Sequence, residues 1–287
     1  MMYKNGFLLL IMIVAYSLPT VLLAQSKVGT DIDFTNIYNT HYTSIGIPIR
    51  DTVYIFDPPS SKSPTNWSLI DSLAIPKGTI AMDGNIGKNI FMTKELVIFE
   101  EYGRYDTLRF HAGLPPIDPR LWIRTPHSTE VDSYFLSGEK NVSFYREYHE
   151  DEKRFVWHIS DQLNPHMFKE NRTQPVLTEK DGFYKIYSFI PAGGSEYLAA
   201  VFKHRISFYR YPTIHDAKLG DKIIAPSELN FSLPQGAVTA FIYDFKYLAV
   251  VLKEQIDFYG FDSAQKKWKK AEGIPHFRFA DMYNNKK

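Results

Sequence analysis

The sequence predicts an all-β fold, specifically a β-propeller of about five four-stranded blades, with four or six blades as the alternatives. Three observations carry that expectation: an internal repeat, five copies of one aromatic strand signature, and a composition rich in rings but without cysteine. Residues 197–211, YLAAVFKHRISFYRY, and residues 247–261, YLAVVLKEQIDFYGF, share eight identities in fifteen at an offset of 50. Self-similarity at such a period marks a stacked architecture of repeated units. The signature is an apolar residue, any residue, an apolar or aromatic residue, and an aromatic one. It occurs as VYIF at Val53, LVIF at Leu96, VSFY at Val142, ISFY at Ile206 and IDFY at Ile256. The 21 Phe, 19 Tyr and 4 Trp residues suit strands that pack large rings on a pleated surface. With no cysteine, disulfides and thiolate metal sites are excluded, so the fold rests on its apolar core.

The chain begins with Lys4, an apolar run from Phe7 to Val14, a break at Pro19 and the small-residue pattern Ala24-Gln25-Ser26. That is the order of a signal peptide. Residues 1–26 are therefore expected to be removed, leaving a single propeller domain over 27–287 that is secreted, or periplasmic in a bacterium. Tyr16, Ser17, Pro19 and Thr20 interrupt the apolar run, which argues against a retained anchor. No membrane span is expected after cleavage.

Each unit is expected to hold four strands. A polar turn precedes each signature, at Arg50–Thr52, Lys94–Glu95, Gly138–Asn141, Lys203–Arg205 and Lys253–Gln255, as β-hairpins require. Short apolar stretches around Trp67, Leu108, Trp157, Ile223 and Trp268 supply an outer strand. Proline then ends pairing at Pro76, Pro115, Pro165, Pro234 and Pro275, having no N–H to donate. A further β-like segment leads into each following hairpin, at 79–82, 121–124, 183–190 and 237–243. The signatures start 43, 46, 64 and 50 residues apart. The long third interval is assigned to a polar inserted loop at 165–181.

Side chains alternate along a strand, so the first and third signature places are expected to meet one neighbouring blade and the fourth place the other. After the last proline, HFRFADM at 276–282 is expected to complete the first blade beside a strand at 42–49, latching the ring.

Thirty-three Lys and Arg residues against 32 carboxylates give no global field for nucleic acid. Nucleotide-binding glycine loops, zinc HExxH and GxSxG motifs are absent, so no catalytic residue, cofactor or metal site is assigned. The cluster His149, Glu150, Asp151, Glu152 reads as a solvated turn. Asp83, Asp118, Asp244 and Asp281 lie near blade starts, but at irregular distances from the preceding proline, which argues against a symmetric cation ring. Trp67, Trp157 and Trp268 recur at matching places and read as packing residues. Trp122 follows PPIDPR and has no counterpart, making it the candidate binding residue. Asn66, Asn141, Asn171 and Asn230 head glycosylation sequons.

The last unit, with Phe261, Asp262, Trp268, Gly273, Ile274 and Pro275, resembles a hemopexin-type repeat. That resemblance implies a small propeller that binds proteins, sugars or ions, usually with four blades tied by a disulfide. The likeness fades in the other units. The expected function is a secreted, non-enzymatic binding module for a protein or glycan partner. The alternatives are a glycan-processing enzyme on the same scaffold and a structural or assembly protein.

Overall fold

A computed structural model describes residues 31–40, 43–60, 66–85, 88–110, 118–124, 131–137, 140–151, 153–160, 182–191, 197–210 and 227–283. The expected signal peptide and the 165–181 insertion lie outside these residues. The described chain forms five antiparallel sheets, four of four strands and one whose four-strand path carries an extra short strand. Blade one holds β1 (Tyr38–Thr40), β2 (Ser44–Ile49), β3 (Thr52–Asp57) and β4 (Ser68–Ala74). Blade two holds β5 (Ala81–Asn85), β6 (Lys88–Met92), β7 (Leu96–Glu101) and β8 (Arg104–Arg109). Blade three holds β9 (Trp122–Arg124), β10 (Val131–Ser137), β11 (Lys140–His149) and β12 (Arg154–Ser160). Blade four holds β13 (Phe183–Phe189), β14 (Tyr197–Phe202), β15 (Arg205–Arg210) and β16 (Phe231–Ser232). Blade five holds β17 (Thr239–Tyr243), β18 (Tyr247–Val251), β19 (Gln255–Asp262), β20 (Lys267–Lys270) and the extra β21 (Phe277–Arg278).

The sheets close into a ring. β1 packs beside both β5 and β17, β13 packs beside both β9 and β17, and β8 of blade two meets β12 of blade three. The first strand of each blade is the innermost, as four-stranded propeller blades require.

The repeat seen in sequence is a repeat in register. Ala199 pairs with Phe208 and Val201 with Ile206, while Ala249 pairs with Phe258 and Val251 with Ile256. The first and third signature places do face the next blade. Val53 and Ile55 pack with Met82 and Phe91 of blade two, Ile206 and Phe208 with Ile242 and Leu248 of blade five, and Ile256 and Phe258 with Ile45 and Ile47 of blade one. The fourth place turns back: Phe56 joins the core shared with blade five, and Tyr259 packs toward blade four.

Two sequence expectations are corrected. In blade two the register places Val97 where blades four and five have Ile206 and Ile256, because Met92 pairs with Val97 across a four-residue turn. The signature there is Val97-Ile98-Phe99-Glu100, one residue later than LVIF, and its fourth place is a buried Glu100. The second correction concerns the latch. Residues 277–278 pair with β19 of their own blade, Gln255 with Arg278 and Ile256 with Phe277. Blade one needs no borrowed strand, since Tyr38-Asn39-Thr40 supplies its innermost one. That strand is three residues long and two of them are polar, so no period-2 pattern announces it.

What β21 does is shown by blade four. Phe231 and Ser232 pair with Ile206 and Arg205, the same geometry that Phe277 and Arg278 adopt on Ile256 and Gln255. These segments are equivalent exits. Trp268 of blade five donates its indole N–H to Leu229 O at 2.8 Å, stacks on Phe208 at 5.7 Å and meets Phe231 edge-on at 5.6 Å. Trp67 of blade one repeats all three contacts on blade five, donating to Pro275 O at 3.1 Å, stacking on Phe258 at 5.6 Å and meeting Phe277 edge-on at 5.7 Å. The ring therefore closes through the same tryptophan joint that links blades four and five. Trp157 lies on β12, with its side chain outside the described residues.

Candidate functional site

The innermost strands of the blades surround the axis of the ring. It is lined by Asn39 of β1, Asp83 of β5, Tyr187 and Ser188 of β13, Ile242 of β17 and Phe245. Lys185 of blade four reaches across the axis to blade two. Its ammonium lies 3.1 Å from Asp83 Oδ2 and donates to Met82 O at 3.4 Å, and the same ammonium sits 5.1 Å above the Tyr187 ring. Both charged side chains are largely buried, so matched charge is held at the axis. Gly84 permits the approach of blades one and two beside it. A Cβ there would lie 2.6 Å from Asn39 O and 2.7 Å from Thr40 Cβ.

The other three carboxylates near blade starts do not join Asp83. Asp118 pairs with Arg120 at 2.7 Å, and the bonds from Arg120 outweigh the opposing effect of burial to hold its carboxyl below the usual range. Asp244 pairs with Lys246 in the β17–β18 turn, and Asp281 with Arg278. Among the described residues no group of three potential metal ligands converges. At the axis the Lys185–Asp83 pair ties blade four to blade two.

The outer rim of blades one and two is built differently. The turn joining β7 to β8 is Tyr102-Gly103, with φ of 51° and 80°, and Glu101 pairs directly with Arg104. Two left-handed residues in a two-residue loop define a type I′ turn, which favours Asn-Gly or Gly-Gly. A tyrosine at its first position is strained, yet the ring is 80 % exposed.

The turn is held from beneath. Glu100, buried, accepts from the Gly103 N–H at 2.7 Å and from Asn89 Nδ2 at 2.7 Å. Asn89 Oδ1 in turn accepts from the Tyr38 hydroxyl at 2.9 Å and from Thr40 Oγ1 at 3.0 Å. A continuous hydrogen-bonded path thus runs from the tip of blade two to the innermost strand of blade one. Burial raises the Tyr38 phenol well above its ordinary pKa, and the charges of Asp83 and Glu100 add to the shift.

Tyr105 stands opposite Glu100 in the ladder, on the face of blade two toward blade one, and is 51 % exposed. Its phenol is raised first by partial burial, then by the charges of Glu100 and Asp71. Asp71 belongs to β4, whose Leu73 packs with Met82 and Phe91 of blade two. Ile70 beside it is 50 % exposed. The β7–β8 hairpin thus exposes two tyrosines, Tyr102 in its turn and Tyr105 on β8.

Trp122, the residue singled out in the sequence, stands on β9 opposite Phe135; its side chain lies outside the described residues. Sequence reasoning missed Tyr102 and Lys185. A tyrosine before glycine between two strands, YG where NG or DG is usual, was the available signal for the first. A lone lysine inside the aromatic strand FYKIYSF was the signal for the second.

No protein-family model matches the sequence, and no curated protein matches it. Solved structures overlay loosely. Kluyveromyces lactis Hsv2p is 12 % identical, over 85 % of this chain and 99 % of that one, with a TM-score of 0.37. The WD40 domain of Neurospora crassa Pan2 is 9 % identical, over 82 % and 64 % of the two chains, with a TM-score of 0.35. The hemopexin fold protein CP4 from cow pea is 15 % identical, over 69 % and 91 %, with a TM-score of 0.32. Such overlaps say nothing about ligand or partner. The class follows from the molecule's own topology: five antiparallel sheets, each led by its innermost strand, closed about an axis, make this chain a β-propeller.

Proposed function

We propose that this propeller is an exported, non-enzymatic binding module that engages a protein or glycan partner through the rim of blades one and two. The observation that carries the reading is the Tyr102 turn: a strained backbone held by a buried hydrogen-bond path, with its tyrosine exposed. Strain of this kind persists only where the surroundings over-determine it, and it clusters at functional positions. A rigid scaffold that holds a loop in one conformation lowers the ordering cost of binding. The one charged pair described at the axis is already matched, Lys185 with Asp83, which favours the rim over a central site. Export rests on the signal-like order of residues 1–26.

Two measurements test this. Mass spectrometry of the protein recovered from medium or periplasm is expected to give a chain starting at Lys27; a chain still starting at Met1 would remove the export claim. Partner capture is expected to fall when Tyr102 and Tyr105 are replaced together in protein that still folds. Capture that is unchanged would remove the rim from the account.

A further inference from the structure

Resting on the export reading above, we infer that Asn230 is a site of N-linked glycosylation, carrying an oligosaccharide on its side-chain nitrogen. Asn230, Phe231 and Ser232 form an Asn-X-Ser sequon with no proline in the middle, the acceptor pattern of surface loops in exported chains. The fold places this sequon where such a group fits. Asn230 follows the 3-10 turn Ser227–Leu229 and comes directly before β16, and both Asn230 and Ser232 are exposed. The neighbouring backbone is anchored on either side. Leu229 is buried and its carbonyl accepts the Trp268 indole N–H, while Phe231 pairs with Ile206. Core contacts before and after the asparagine therefore hold it at the surface. Of the two sequons whose side chains are described, this is the one with both ends exposed: Ser68, in the sequon of Asn66, is half-buried on β4.

The Asn230 amide can carry the linkage without giving up its own hydrogen bond. Its Oδ1 accepts from the Phe208 N–H at 3.3 Å, and the new bond forms at the other end of the amide, on Nδ2. In the transfer, Nδ2 bonds to the anomeric carbon of a polyprenyl-diphosphate-linked oligosaccharide. The anomeric C–O bond breaks, its electron pair leaves with the diphosphate, and the nitrogen loses one proton. Oδ1 keeps both lone pairs, so the bond to Phe208 survives. Because β16 is the outermost strand of blade four, the oligosaccharide stands at a sheet edge. A bulky, hydrated group there hinders other chains from pairing with it.

The test expresses the full chain in cultured mammalian cells, whose secretory lumen attaches N-glycans, and maps the secreted protein by peptide mass spectrometry before and after peptide-N-glycosidase treatment. The expected result is a glycopeptide containing Asn230 that the enzyme releases, turning the linked asparagine into an aspartate. Ser232→Ala destroys the sequon but leaves Asn230 and its bond to Phe208 in place, so it should abolish that glycan. Ser232→Thr, which keeps the hydroxyl, should retain it. A secreted chain with Asn230 unmodified overturns the inference and leaves export standing. A glycan on this peptide that survives Ser232→Ala also overturns it, since the sequon would not be what directs the transfer. A chain that stays in the cytosol with Met1 intact overturns the export reading and takes this site with it.

Discussion

Tyr102 occupies a backbone conformation that suits asparagine or glycine, and it exposes a ring where most chains would place a small polar group. Relieving that strain is expected to stabilise the fold. Tyr102→Asn should gain about 0.5 to 1 kcal/mol in urea denaturation, while weakening ligand binding. A loss of stability would show that the ring packs rather than presents. Tyr38 makes a separate pH prediction. Its folded pKa is raised above 10.0, mainly by burial. Below pH 10 both folded and unfolded chains keep the proton, and the contribution is intact. Above pH 10 the unfolded chain ionises first, so stability falls with rising pH until the folded value is passed. Tyr38→Phe should flatten that alkaline decline, read as the midpoint of urea unfolding at pH 9 and pH 11. The axial pair adds a third test. Removing Asp83 alone takes the matching charge from the largely buried Lys185 ammonium, at a cost of about 3 to 5 kcal/mol. The double change Asp83→Asn with Lys185→Met should recover much of it, and strict additivity would contradict the pairing.

The strand element explains what was legible in the sequence and what was not. The offset-50 repeat and the four-stranded blade followed from side-chain alternation and turn polarity, and the register of β14–β15 and β18–β19 bears this out. In blade two the signature begins at Val97, one residue later than the letters LVIF suggest. Its fourth place carries Glu100 where the other signatures have an aromatic, and the bonds that bury it, from Gly103 and Asn89, are contacts no strand pattern announces. The exits at Phe231 and Phe277 were equally hidden, since two-residue strands carry no periodicity. The rim was illegible for a related reason. Exposure of Tyr102 depends on a turn type and a buttress from blade one, neither of which composition records. The sequence did single out Trp67 and Trp268 as packing residues, and their shared joint is the most repeated chemistry in the molecule. Phe208→Ala and Phe258→Ala, which remove the rings beneath those indoles, should each cost about 3 to 5 kcal/mol by denaturant unfolding. Losses near the ~0.5 kcal/mol typical of surface changes would mean that these rings are not core.

At the scale of the whole molecule, the ring closes without sharing a strand between its ends. Blade one grips blade five through Trp67, and the buried Phe277, Phe279 and Met282 complete that core beside Ile37, Ile45 and Phe56. The C-terminal segment therefore still ties the ends together, through packing where strand pairing was expected. Closed rings leave few free edges, and the outermost strand β20 guards its own with Lys267, Lys269 and Lys270. The central claim is that blades one and five are neighbours. Because the chain lacks cysteine, single cysteines at the exposed Ser72 of β4 and Lys267 of β20 can carry spin labels without competing sites. Pulsed electron spin resonance between them is expected to give a narrow distance distribution, comparable to that of an adjoining-blade pair labelled at Ser72 and Asp106. A broad distribution, or a separation longer than any other pair of blades gives, would mean that the array is open and the account of closure is wrong.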